Sequence, residues 1–196
     1  MCNRFFVNLI MAFILVITTS CKDEVLPKPK GYLSLEYPKN QYKALALERP
    51  YSFEIPTQSI TVDEINNWLK IKYPNLKASI DITYRPVENN LTELLTEAEK
   101  LVFKHAIKAE QIIPRDFINE ANNVYGSLYE ITGNAASHLQ FHATDSTKNF
   151  IKGALYFYEK PNYDSILPAV AYIKKDILKL MESLEWKKWV MTANSK

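Results

Sequence analysis

Two cysteines bound what this chain can fold into. Cys2 and Cys21 are the only ones in 196 residues, and both belong to an apolar leader or its end. Met1-Cys2-Asn3-Arg4 precedes an apolar run from Phe5 to Ile17, broken only by Asn8, and Thr18-Thr19-Ser20-Cys21 follows it. A short charged start, a brief hydrophobic stretch and small residues mark a secretory signal peptide. The run is 13 residues long, short of the ~20 that span a bilayer. Its end resembles a bacterial lipobox, where the cysteine sulfur receives a diacylglycerol and the chain is cut just before it. Residues 1–20 are then the lipoprotein signal peptide. Cys21 becomes the first mature residue, carrying covalent lipid with acyl chains such as palmitate. Thr18 stands where such sites usually carry Leu, which bears on the efficiency of lipidation. An ordinary signal peptide and an uncleaved anchor are the alternatives. Either way, the exported part beyond Cys21 has no disulfide, free thiol or cysteine metal site, and must be held by its core.

The expected organisation is a lipidated flexible tether at 21–30 and a single globular α+β domain at 31–196. Lys22-Asp23-Glu24-Val25-Leu26-Pro27-Lys28-Pro29-Lys30 is polar and proline-rich, unsuited to a helix or a core. Its opening Lys22-Asp23-Glu24 resembles the lysine-plus-acidics signal that routes some lipoproteins to the outer face of the outer membrane. A solvated tether explains it equally simply. Arg4 is the one charged residue in the leader, so 24 Lys+Arg become 23 against 22 Asp+Glu. That balance points to no nucleic acid and no anionic surface as partner.

From residue 31 the hydrophobic period is near two. Tyr32–Pro38, Tyr51–Pro56, Trp68–Pro74 and Ala78–Tyr84 read as strands bordered by Pro or Asn. Leu91, Leu94, Leu95, Ala98, Leu101, Val102 and His105 then recur at helical spacing, with Asn90 and Glu93 placed as N-cap and N3. Val124–Thr132 predicts a strand and Gln111–Asn119 a weaker one, interrupted by Pro114. Gly133-Asn134 is a tight-turn signal into Ala135–Thr144, and Asp145-Ser146-Thr147-Lys148 is a turn into Phe150–Tyr158. Ile166, Val170, Ile173, Ile177, Leu180, Met181 and Leu184 form a second helical stripe. Asp164 or Ser165 is placed to cap that helix, with Pro168 in its first turn. The fold class expected is α+β, a mostly antiparallel sheet of six to eight strands packed with two long helices.

Chemistry is hard to find in this pattern. His138 and His142 have metal-ligand spacing on a helix, but on a strand they stand about 13 Å apart, too far to share one ion. They read as solvent-facing or groove-lining strand residues, with Gln140 on the same side and Leu139, Phe141 and Ala143 on the other. No nucleophile elbow, phosphate-binding glycine loop or calcium loop occurs, and the carboxylates are scattered. No catalytic residue, metal site or cofactor is expected beyond the lipid on Cys21.

Several segments together resemble a known family. They are Pro27–Leu33, Arg49-Pro50-Tyr51-Ser52-Phe53-Glu54, Tyr84–Leu91, Val124-Tyr125-Gly126, Gly133–Ser137, Thr144–Lys148, Gly153–Phe157, Pro161–Ser165 and Glu185-Trp186-Lys187. In order and spread they are similar to the gliding-motility lipoproteins of the GldD type. The resemblance implies a non-enzymatic accessory or assembly component of bacterial gliding, linked to type IX secretion and the motility machinery. It implies a lipid anchor in the cell envelope, in the outer membrane, on the periplasmic or the surface leaflet. The order of elements is also similar to PsbP-like α/β/α sandwiches. The expected partners are membrane lipid through Cys21 and other gliding or secretion proteins. The candidate interaction loops are Gly133 with Asn134, and Asp145, Ser146 and Lys148, unless both are ordinary turns. Two rivals remain: an exported binding module for a small apolar or glycan ligand, which requires a preformed pocket, and a hydrolase built from distant residues.

Overall fold

A computed structural model describes residues 37–105, 109–158 and 163–188. The signal region, Cys21, the tether, most of the strand expected at Tyr32–Pro38, and Trp189 lie outside the described residues. Three short strands come first: β1 (Tyr42–Ala44), β2 (Tyr51–Ser52) and β3 (Glu54–Pro56). Then follow β4 (Ile60–Asp63), β5 (Leu69–Tyr73), β6 (Ala78–Pro86), α1 (Leu91–His105), β7 (Ala109–Asn119), β8 (Val124–Gly133), β9 (Leu139–Thr144), β10 (Asn149–Phe157), α2 (Tyr163–Glu182) and β11 (Glu185–Trp186). Seven of the strands make one antiparallel sheet in the order β4-β5-β6-β10-β9-β8-β7. The expected α+β class, with its large antiparallel sheet and two helices, is what folds. Each run ends at a proline or a turn, so hairpins follow one another except where α1 carries the chain from central β6 to edge strand β7.

The two-residue period gives the sheet two unlike faces. Ile80 and Ile82 of β6, Leu128 of β8, Leu139 and Phe141 of β9, and Ile151 and Leu155 of β10 share one face. They form a single core with Ile173, Ile177, Leu180 and Met181 of α2. Burying each such side chain contributes about 1.5–3 kcal/mol, so this layer dominates stability. On the other face, Phe150 of β10 meets Leu94 and Ala98 of α1. The helices thus cover opposite faces.

Four local expectations are corrected. Tyr51–Pro56 is two strands, because Phe53 turns into the core between β2, which pairs with β11, and β3, which pairs with β1. The Gly133-Asn134 turn is not tight: β9 starts only at Leu139, and residues 134–138 form a loop closed by Ile131 N–H donating to the His138 carbonyl at 2.9 Å. Asn90 holds the N-cap position, its carbonyl accepting from Leu94 N–H at 3.1 Å, but its side chain bonds backward. Its side-chain oxygen accepts from Glu88 N–H at 2.9 Å, following a left-handed Asn89 (φ 61°). Pro168 lies in the second turn of α2 because that helix begins at Tyr163, ahead of the expected cap. The interrupted Gln111–Asn119 segment is a full strand, and Pro114 is tolerated because β7 is an edge.

One carboxylate ties the first described residues to the core. Asp176, at 2% exposure, sits in the apolar stripe of α2. It accepts hydrogen bonds from Asn40 Nδ2 at 2.5 Å, Tyr42 Oη at 2.9 Å and Tyr73 Oη at 3.1 Å. Burial raises its pKa, against the pull of those three donors.

Gly126 of β8 lets that strand close on β9: a Cβ there would meet the His142 carbonyl oxygen. Gly126→Ala is expected to cost about 1–3 kcal/mol by forcing the strands apart, read as a lower denaturant midpoint with unchanged slope.

Candidate functional site

The sheet face beneath α1 is polar. Thr83 of β6 pairs with Lys152 of β10, which pairs with His142 of β9. One step along, Asp81, Ala154, Gln140 and Tyr129 make a second row. Between these rows and the aliphatic side of α1 (Ala98, Leu101, Val102) lies a cavity of about 170 Å³. The helix side facing the cavity does not seal this polar floor, because Ala98, Leu101 and Val102 have no side-chain hydrogen bonds to offer it.

Charges at the site cancel locally. Lys152 Nζ bonds Glu97 of α1 at 2.5 Å, and Arg85 lies 3.7 Å from the same carboxylate. The hydrogen bond from Lys152 holds Glu97 below the usual carboxylate range. Asp81 accepts from Ser79 Oγ at 2.7 Å and faces Lys70 at 3.2 Å. His142, at 5% exposure, stacks on Phe150 with centroids 5.9 Å apart and lies against Tyr129 at 6.0 Å. Burial pulls its pKa down, and the carboxylates of Glu99 and Asp116 pull the other way and lose. Among the described residues no group bonds His142 Nδ1 or Thr83 Oγ1, though both atoms are buried. A buried polar atom without a partner costs about 1–3 kcal/mol.

His138 is buried too, in the bend before β9, edge-on to Tyr163 at 5.4 Å. The two histidines are therefore not solvent-facing; only His142 lines the cavity. Among the described residues no group of three His, Cys, Asp or Glu could hold a metal. The His105 side chain lies outside the described residues.

The candidate loops do not come together. Gly133 ends β8 and Asn134 follows it, near the start of β9, whereas Asp145–Lys148 follow the end of β9, about 20 Å away along six residues. Gly133 is left-handed (φ 82°), and a Cβ would come within 2.8 Å of Glu110 N, so its identity serves the backbone. Asp145 Oδ1 accepts from the N–H of Thr147 at 3.0 Å, Lys148 at 2.7 Å and Asn149 at 2.8 Å. Burial opposes its ionisation, but those bonds prevail and lower its pKa. Ser146 is left-handed (φ 65°) and, like Lys148, exposed. The sequence placed Gln140 and His142 on one face, but Asp81, Thr83, Tyr129 and Lys152 were missed. Their signal was polar residues at alternate positions of inner strands, where a helix was already expected to pack.

The family model described as gliding motility lipoprotein GldD matches residues 22–186. No curated protein matches the chain. Among solved structures it is similar to the solution structure of cyanobacterial PsbP (CyanoP) from Synechocystis sp. PCC 6803. The identity is 12%, the TM-score 0.48, and the alignment covers 81% of this chain and 99% of that one.

His138 and His142 both have pKa values lowered by burial from the ordinary 6.5. Below that pH the unfolded chain binds more protons than the folded one, so stability falls as the pH falls. The melting temperature is expected to drop between about pH 7.5 and 5.5, and His142→Phe should flatten part of that slope. An unchanged slope would mean that His142 is not buried as a neutral ring.

Proposed function

The chain belongs to the gliding motility lipoprotein GldD family, matched over residues 22–186, and from that premise we propose that it is a non-enzymatic, lipid-anchored accessory of the motility machinery linked to type IX secretion. As a member of a lipoprotein family its place is the cell envelope. Among the described residues no helix is long and apolar enough to cross a membrane. Cys21, immediately before the matched region, is the proposed site of acylation, and the outer membrane the proposed destination. Attachment by several acyl chains would be effectively permanent.

The observation that carries this reading is the extent of the match, which takes in the tether as well as the folded domain. The near-neutral charge balance supports a protein partner over nucleic acid. The Gly133-Asn134 and Asp145–Lys148 loops, at opposite ends of the sheet, could each present a separate contact rather than one shared surface.

Cys21→Ala is expected to release the protein from the membrane and abolish gliding, while the domain folds with unchanged circular dichroism. Normal gliding by cells carrying only the exported, soluble variant would overturn the proposal. Crosslinking of the anchored protein, read by mass spectrometry against the same variant, is expected to enrich motility or secretion components only when Cys21 is present.

A further inference from the structure

We propose that the cavity between α1 and the polar face of the sheet is a binding site for one neutral sugar ring. Its size, its two unlike walls and its charge balance carry the inference. A cavity of about 170 Å³ is comparable to the ~150 Å³ engineered cavity that holds benzene, so one ring is the scale of occupant. The floor offers a hydroxyl, an amide, a carboxylate and an imidazole from Thr83, Gln140, Asp81 and His142, while the roof is aliphatic. A purely apolar ligand would bury that floor without hydrogen bonds, which is costly.

An anion is disfavoured because each cation at the site already has a carboxylate: Lys152 and Arg85 share Glu97, and Lys70 holds Asp81. A cation is disfavoured by the same pairing. What remains is a neutral molecule with hydroxyls on one side and C–H surface on the other, which is the chemistry of a saturated sugar ring. The tyrosine and histidine rings at the floor suit C–H contacts. The unbonded His142 Nδ1 and Thr83 Oγ1 are where ligand hydroxyls would recover buried bonds. A half-turn of the His142 ring or a rotamer change at Thr83 turns either atom without moving the backbone. The proposal stands on the cavity, so the outcome of Cys21→Ala on gliding does not bear on it.

The test uses the full lipidated protein in a sugar-free detergent, dodecylphosphocholine. Saturation-transfer NMR is run with glucose, galactose, N-acetylglucosamine and maltotriose, and with benzene and acetate as controls. At least one sugar is expected to bind with Kd of about 1 mM, with a shift of the His142 imidazole nitrogens. Binding of single rings alone would mark a free sugar as the ligand, and binding of maltotriose as well would mark a glycan end. Thr83→Val, nearly isosteric, is expected to weaken binding about tenfold. Ala98→Leu, which adds bulk to the cavity from the helix side, is expected to abolish it, with circular dichroism checking that the domain still folds. The proposal fails if no sugar binds, if only benzene or acetate binds, or if sugar binding is indifferent to both substitutions.

Discussion

A strand presents alternate residues to opposite sides, and in β6, β9 and β10 those two sets are chemically different. Ile80, Phe141 and Leu155 face one way, and Asp81, Gln140 and Tyr156 the other. Everything else follows from that division. The apolar set admits only a helix with a continuous stripe, which α2 supplies with Ile173, Ile177, Leu180 and Met181. The polar set cannot be sealed in the same way. The helix above it therefore meets the sheet at Phe150 and through the Lys152–Glu97 pair and leaves a cavity between, which is how one sheet has a tight side and a roomy side.

Polar pairing keeps the roomy side in order. Lys152 and Glu97 join the sheet to α1 at the cavity, while Lys70 and Asp81 join β5 to β6. An exposed ion pair contributes little, so the Lys152–Glu97 pair matters more for where α1 sits than for how firmly the protein folds.

Much of this was legible in the residues, and the misses have physical causes. Both helices and the strands from Leu69 onward are long and periodic, so burial and propensity agree. Tyr51–Pro56 misled because a two-residue period holds even when the chain switches partners midway, and nothing in the pattern records which strand lies alongside. Asn90 had cap spacing, yet the backbone at Asn89 is left-handed, which turns the side chain back. Asp176 was passed over as one polar residue in an apolar stripe. Its spacing, three after Ile173 and four before Leu180, places it inward, but its partners Asn40, Tyr42 and Tyr73 are more than 100 residues away in sequence. The cavity floor was missed for the same reason: a face is composed of strands distant in the chain, and only register brings Thr83, Lys152 and His142 into one row.

The Asp176 clamp has a mechanical consequence. Asn40 and Tyr42 stand at the start of the described residues, and they are fastened to α2 through Asp176. The same carboxylate accepts from Tyr73 at the end of β5, so Asp176 is the point where this first segment, α2 and the large sheet meet, beside the short β1–β3 ladder. None of these links belongs to the pairing of the seven strands, so a change at Asp176 would loosen the first segment and α2 while leaving the sheet's register as it is.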